Sequence, residues 1–315
     1  MLTTPSTTTP PRARPAPAAR ARGRRQRRDH APYLLLAPSV LMLIAVLGFP
    51  LGRVLVLSVQ HWGVRQIFSP DGPAFAGLDN YATLLGDPEF WTVLVRTVVL
   101  TAAMAGLSMA AGTGIALLMR RVPPWCRRTV TFALVLAWAV PSFVSTEIFA
   151  WMTDYNAGIV NRALGMQAHN WYADPVQGLA VATAVVVWGA VPLIGVTVYA
   201  GLGQVPAELE EAARLDGAQA RQVFRYVTLP VLRPLLALLA TLSVIWDFQV
   251  FNQIWILRQG APGPDYFTLG IYAYVKAYAG HDYGLASASA VLTVLLLLVV
   301  MVVYLRQIAR IGDAP

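Results

Sequence analysis

The sequence predicts an all-α, polytopic membrane protein with six transmembrane helices, and three observations carry that prediction. Hydrophobic residues fill 57% of the 315 positions and charged residues only 13%, against about 25% charged in ordinary soluble domains. With a mean hydropathy of +0.55, too few charges remain to clothe a surface that faces water. Six apolar segments reach the roughly 20 residues that carry a helix across about 30 Å of hydrocarbon. The basic residues, finally, gather on alternate connections between those segments, as the positive-inside bias of membrane proteins requires.

The elements follow in order. Eight arginines, Arg12, Arg14, Arg20, Arg22, Arg24, Arg25, Arg27 and Arg28, lie in the first 28 residues among Thr, Pro and Ala. Such a stretch has nothing with which to build a core, so residues 1–31 are expected to form a disordered basic tail. Its charge is read as a cytoplasmic topology anchor, not as a nucleic-acid site. The apolar run from Tyr33 to about Val59 exceeds the 7–15 residues of a signal-peptide core, so it is a retained first span; residues 32–90 hold it and an outer loop. The other spans fall near 91–119, 129–151, 178–201, 231–257 and 286–305. Residues 91–306 thus form the main body, and 307–315 a second cytoplasmic tail. Pro50, Pro141 and Pro192 inside these runs are tolerable where neighbouring helices satisfy the freed backbone groups.

Orientation follows from the arginines. The N-terminal tail, the loop with Arg120, Arg121, Arg127 and Arg128, the loop with Arg214, Arg221, Arg225 and Arg233, and the tail with Arg306 and Arg310 share one side. The opposite loops carry Arg65, Arg162, Arg258 and Lys276 among Asp71, Asp79, Asp87, Glu89, Asp154, Asp174, Asp265 and Asp282. Both termini are therefore expected in the cytoplasm. The outer loops also hold Trp62, Trp91, Trp151, Trp171, Tyr155, Tyr172 and Tyr266. These aromatics suit an interface belt, or contact with a partner or a sugar.

Between spans four and five, Pro206 followed by Ala207, Glu208, Leu209, Glu210 and Glu211 reads as a helix start, with acids at the positive end of the helix dipole. Asp216 and Gly217 end that helix. A second helix runs to about Thr228, and Pro230 is expected to open the fifth span.

In this loop Glu211-Ala212-Ala213, three residues, Gly217, nine residues and Val227-Thr228-Leu229-Pro230 resemble the EAA motif of binding-protein-dependent ABC transporter permeases; only the valine departs from the pattern. Asp216, Phe224 and Thr228 are similar to the sugar-permease branch of that family. Gly77-Leu78-Asp79-Asn80-Tyr81, Asp87-Pro88-Glu89-Phe90-Trp91, Trp138-Ala139-Val140-Pro141-Ser142-Phe143 and the turn Gly260-Ala261-Pro262 extend the likeness over about Pro32 to Arg306. The resemblance implies a MetI-like importer permease domain in the bacterial inner membrane, whose EAA loop (204–230) holds a coupling helix that docks in a cleft of a cytoplasmic ATPase. Glu211, Ala212, Ala213, Asp216, Gly217, Leu229 and Pro230 would form that contact. Small Ala212 and Ala213 permit close approach, and Glu211 can pair with a basic group of the partner.

The resemblance also implies the other parts: a second permease subunit as heterodimer partner, a dimer of ATP-binding subunits, and an extracytoplasmic solute-binding lipoprotein that delivers an oligosaccharide. No phosphate-cradling loop of the form G-x-x-x-x-G-K-[ST] occurs. ATP-Mg is then used by the partner, and this chain is expected to bind no cofactor and no metal and to hold no catalytic residue. Cys126 is the single cysteine, and the four histidines are scattered in loops or the tail.

A neutral, hydroxyl-rich solute needs hydrogen-bonding groups and aromatic faces at mid-membrane. Span five supplies Ser243, Trp246, Asp247, Gln249, Asn252, Gln253 and Trp255. Ser243, Asp247 and either Val250 or Gln249 lie about one turn apart, on one face. The sugar-contacting positions of the family's maltose permease fall by resemblance on Trp138, Ser142, Val186, Gly189, Ala190, Ser243, Asp247 and Val250. Asp247, Val250 and Val186 replace asparagines, which argues for an oligosaccharide other than maltose. Asp247 admits three roles: a sugar hydrogen bond, structural helix glue, or, with Glu147, ion coupling in a secondary transporter. An anionic solute would need basic groups in the path, for which Arg53 and Arg96 are the candidates.

Overall fold

The computed structural model describes residues 31–69, 72–166 and 168–312. The arginine-rich segment lies outside the described residues, as do Asp71 and the last three positions of the expected C-terminal tail. The chain divides after Pro50 into two units. In the first, α1 (Ala31–Leu43) passes through a π-turn at Ile44–Gly48 into the start of α2 (Phe49–Ser58), and Leu41, Ile44, Leu47 and Phe49 are exposed along it. The run Leu35–Ser58 is long and apolar enough to cross a membrane.

The second unit opens, after α2, with a small antiparallel pair, β1 (Gln60–His61) and β2 (Ala74–Phe75), which flank α3 (Val64–Phe68). In α4 (Asp79–Gly86), the buried Asn80 donates to the Ser58 and Gln60 carbonyls at 2.9 and 3.0 Å. The second span, α5 (Pro88–Met119), starts at Pro88 and not at 91. Its cause is local: Asp87 accepts the Glu89 N–H at 2.9 Å and Pro88 occupies the first turn, the arrangement that helix N-termini favour.

The third span is not one helix. α6 (Pro124–Ala139) and α7 (Ser142–Met152) meet at 99°. Pro141 disfavours helical geometry in the residue before it, and Val140 accordingly takes an extended ψ of 124°. After α8 (Ile159–Ala163), the fourth span α9 (Pro175–Leu202) begins on Asp174, which accepts the Gln177 N–H at 3.0 Å.

The loop helix α10 (Ala207–Leu215) ends on Gly217, whose φ of +86° suits a residue without a side chain. α11 (Ala220–Val223) then runs through a π-turn at Phe224–Thr228 into α12 (Leu229–Asp247). The fifth span is therefore one helix from Ala220, and Pro230 does not open it. The Leu229 N–H reaches back five residues to the Phe224 carbonyl. This widened turn absorbs the clash that a proline ring makes with the preceding turn. The same device precedes Pro50, where the Phe49 N–H bonds the Ile44 carbonyl.

The fifth span also stops short of 257. It breaks at Phe248–Phe251, before α13 (Asn252–Leu257). A single 3-10 turn and α14 (Leu269–Tyr278) lead to α15 (Tyr283–Gly312), which continues past Arg306. Five helices among the described residues can cross a membrane by length and composition, or six when the bent pair counts as one span. Val95, Val98, Val99 and Leu107 on α5 are among many exposed apolar side chains, as a lipid-facing surface requires.

Two apolar clusters organise the second unit. One gathers Leu84, Phe90, Met104, Val185, Ile254 and Tyr272; the other gathers Ala116, Ile194, Val198, Leu202, Leu232 and Leu239 near the α10 end. The most extensive helix pair is α5 with α9. It closes on glycine: a Cβ at Gly112 would meet Ile194 Cγ2 at 2.6 Å and the Gly195 nitrogen at 3.2 Å, whereas one at Gly114 would meet nothing within 4 Å. Small residues let membrane helices approach in this way. Gly112→Ala should therefore cost about 1–3 kcal/mol by overpacking, and Gly114→Ala should be neutral or slightly stabilising. Thermal unfolding of the two variants in detergent checks this; equal melting temperatures would refute the close crossing.

Candidate functional site

A cavity of about 650 Å³ lies between the two apolar clusters, lined by Val185 from one and by Ile194 and Leu239 from the other. Of the thirteen residues that the sequence offers for a solute path, twelve line it: Trp138, Ser142, Val186, Gly189, Ala190, Ser243, Trp246, Asp247, Gln249, Val250, Asn252 and Gln253. Three backbone features bring them together. The bend at Val140–Pro141 turns Trp138 and Ser142 inward from consecutive helices. Gly189 and Ala190 leave the α9 wall without bulk, and a Cβ at Gly189 would meet nothing within 4 Å. The break after Asp247 lets Gln249 and Val250 reach the lining from outside helical register.

Within the cavity, Ser243, Asp247 and Val250 are each 5% exposed, whereas Trp138 and Trp246 at the rim are 59% and 55% exposed. Asp247 Oδ2 is buried without a hydrogen-bond partner among the described residues. The Val250 carbonyl freed by the break accepts from Thr268 Oγ1 at 3.0 Å, and Thr97 Oγ1 accepts the Leu269 N–H at 3.0 Å. Ser145, Trp188 and Phe251 also line the cavity, and sequence reasoning missed these three. Trp188 is edge-on to Phe149 at 6.3 Å and stands next to Gly189; its signal was that neighbour. Trp255 does not line the cavity but stacks on Phe251 at 5.2 Å.

The two arginines considered for an anionic solute lie elsewhere. Arg96 donates to the Pro264 and Phe267 carbonyls at 2.7 and 3.1 Å, and Arg53 sits 5.9 Å over the Trp62 ring. Among the described residues no Lys or Arg lines the cavity. Glu147 is exposed on α7 and is not among the lining residues. Among the aromatics expected at an interface, Trp91, Trp151 and Tyr155 are exposed. Three others fold their own loops: Trp171 donates to Asn161 Oδ1 at 2.6 Å, Tyr172 bonds Thr153 Oγ1 at 2.7 Å, and the buried Tyr266 donates to the Tyr172 carbonyl at 3.0 Å.

At the α10 end, Glu211, Ala212, Asp216 and Gly217 are exposed, Ala213 and Leu229 are half-buried, and Pro230 is exposed at the foot of α12. The buried acid of this loop is Glu210, 5% exposed. Its carboxylate accepts from Arg120 Nη1 and Nη2 at 2.9 and 3.0 Å, from Arg214 Nη2 at 3.2 Å and from Thr228 Oγ1 at 3.0 Å. The Arg120 hydrogen bonds outweigh the desolvation of burial and hold the Glu210 carboxyl below the ordinary glutamate value. The Glu210–Arg214 spacing of four residues was the available sequence signal.

Residues 102–312, which run from α5 to α15, match the family described as the binding-protein-dependent transport system inner membrane component. The chain belongs to this family. The permease is 37% identical over 288 residues to the diacetylchitobiose uptake system permease protein DasB of Streptomyces coelicolor, covering 89% of this chain and 87% of that one. It is 32% identical over 278 residues to the trehalose/maltose transport system permease protein MalF of Thermococcus litoralis, covering 87% and 92%. A crystal structure of a bacterial ABC transporter that imports the acidic polysaccharide alginate shares the fold, with a TM-score of 0.76 at 19% identity over 91% of this chain and 97% of that one. The permease is thus a multi-pass inner-membrane transport component of MetI-like fold.

Because the Glu210 pKa is lowered in the folded state, its ion pairs stabilise fully above the ordinary glutamate value of 4.5, and that stability is lost as pH falls through the lower folded value. Discounted for the solvent that reaches Arg120 and Arg214, the pairs are worth about 1–2 kcal/mol. Glu210→Gln should therefore melt below the wild type near neutral pH, and the two curves should converge in acid. A melting-temperature difference that stays constant into strong acid would show that the carboxylate charge is not involved.

Proposed function

We propose that the permease forms half of the translocation path of an ATP-driven importer that takes up a neutral oligosaccharide delivered by an extracytoplasmic solute-binding lipoprotein. The observation that carries this reading is the cavity, where Ser243, Asp247, Gln249 and Asn252 offer hydrogen bonds, Trp138 and Trp246 offer flat apolar faces, and no basic residue among those described lines the wall. Sugars combine hydroxyl edges with apolar ring faces, and a volume near 650 Å³ falls within the range of small-ligand sites. The named sugar substrates of the relatives support the same class.

In this reading both termini are cytoplasmic, as the arginine bias requires. The exposed face of α10, with Glu211 and Ala212, and the half-buried Ala213 dock on one subunit of an ATP-binding dimer, with Asp216, Gly217, Leu229 and Pro230 shaping the bend and the return into the membrane. ATP-Mg is bound and hydrolysed there, and this chain holds no cofactor. A second permease subunit completes the cavity at the exposed rim of Trp138 and Trp246. Hydrolysis moves α10 and shifts the balance between cavity openings to either side, a change of relative stability.

Uptake of labelled di- and trisaccharides by cells that carry the full transporter tests the reading. Glu211→Lys should abolish uptake while the protein still inserts in the membrane. Asp247→Ala should lower kcat/KM by roughly three- to tenfold, matching about 0.5–1.5 kcal/mol for one hydrogen bond. Gly189→Phe should fill the path and suppress uptake without loss of protein. Uptake that survives removal of the ATPase and collapses with the proton gradient would instead assign Asp247 to ion coupling and overturn the proposal.

A further inference from the structure

We infer that Glu210 is the positioning residue that makes α5 and α12 move with α10, while the neighbouring Glu211 faces outward. The inference rests on the reading of α10 as the ATPase-docking helix. Successive residues of an α-helix are about 100° apart around its axis, so two adjacent acids must point in different directions. Here the division is sharp: Glu210 is 5% exposed and saturated by partners, whereas Glu211 is exposed.

The partners of Glu210 come from separate elements. Arg120 follows directly on the last residue of α5, which packs along the α9 wall that carries Gly189 and Ala190. Thr228 closes the π-turn at the foot of α12, which carries Ser243 and Asp247. One carboxylate therefore joins the docking helix to the foot of α12, which lines the cavity, and to the end of α5, which packs on the α9 wall without lining the cavity itself. Arg214 is on α10 itself and ties nothing new; it balances the charge. The two parallel Arg120 bonds fix orientation as well as distance, as a guanidinium fork does with a carboxylate. A rotation of α10 alone would strip the acid of Arg120 and Thr228 and leave it only Arg214, in a crevice that Leu117, Arg121, Val223 and Phe224 also line. That cost makes the contact a linkage.

The position of the π-turn agrees with this role. Such turns change the helical register locally and recur at functional sites. Thr228, 2% exposed, spends its hydroxyl on Glu210 Oε1 and not on a carbonyl of its own helix. The end of α12 nearest the loop is thus held to α10 by a side chain, not by backbone alone.

The test uses the complete transporter in liposomes, in a Cys126→Ser background with Gly189→Cys as the sole thiol on the cavity wall. Reaction of that thiol with a methanethiosulfonate reagent is compared without nucleotide and after trapping with ATP and vanadate. In the background protein the rate should change by about threefold or more on trapping. Glu210→Gln should retain vanadate-sensitive ATP hydrolysis and lose that change; Thr228→Val, nearly isosteric, should diminish it. A change of background size in Glu210→Gln overturns the inference. If Glu210→Gln loses its ATPase subunits, Thr228→Val decides alone, and an undiminished change there overturns it equally. Glu211→Lys separates the two readings. If it leaves ATPase binding intact, the docking assignment itself falls, whereas loss of ATPase binding in Glu211→Lys with normal thiol reactivity in Glu210→Gln sinks only the role of Glu210.

Discussion

Backbone groups inside a membrane have no water to turn to, and each unsatisfied one costs several kcal/mol. A wide polar cavity at that depth nevertheless needs helices that break. The permease resolves the conflict by placing fully buried hydroxyls beside the interruption in its fifth span. Thr268 covers the carbonyl that Val250 frees, and Thr97, the tenth residue of α5, takes the N–H that opens α14. Arg96 does the same for the Pro264 and Phe267 carbonyls. These polar groups, which an inventory of intramembrane residues would flag as solute contacts, are what allow the lining to leave helical geometry.

The cavity wall that results is asymmetric. Ser243, Asp247 and Val250 are buried in it, whereas two tryptophans, Trp138 and Trp246, are exposed. Asp247 gains from this arrangement the freedom that a solute-binding group needs, because its buried Oδ2 has no hydrogen-bond partner among the described residues. Glu210 is the opposite case. It is equally buried, but every strong acceptor direction is used. One carboxylate is available and the other is committed, and the difference follows from whether arginines stand beside it.

Much of this was legible in the sequence. Apolar length located the spans, because a membrane sets a minimum that chance seldom meets, and the residues of the future cavity could be named from span five and from the resemblance. The bend at Val140 was less legible. Pro141 announced a disturbance, but only packing against α9 and α13 decides whether such a site kinks or turns by 99°. Glu210 and Glu211 are chemically identical neighbours, and choosing the inward one needs the position of Arg120, 90 residues away in the chain. The fifth span's start was misjudged for a related reason. A proline usually marks a boundary, and here a π-turn carries the helix past it.

That π-turn has a consequence for anyone who compares this chain with its relatives. A π-turn holds one residue more than the α-helix it interrupts, so faces below and above it are offset by about 100°. A helical wheel drawn from Ala220 to Asp247 as uninterrupted α-helix would rotate Val223 away from the side on which Leu232, Leu239 and Ser243 are buried. An ungapped alignment with a chain that lacks the turn would carry the same error into every face assigned beyond Pro230.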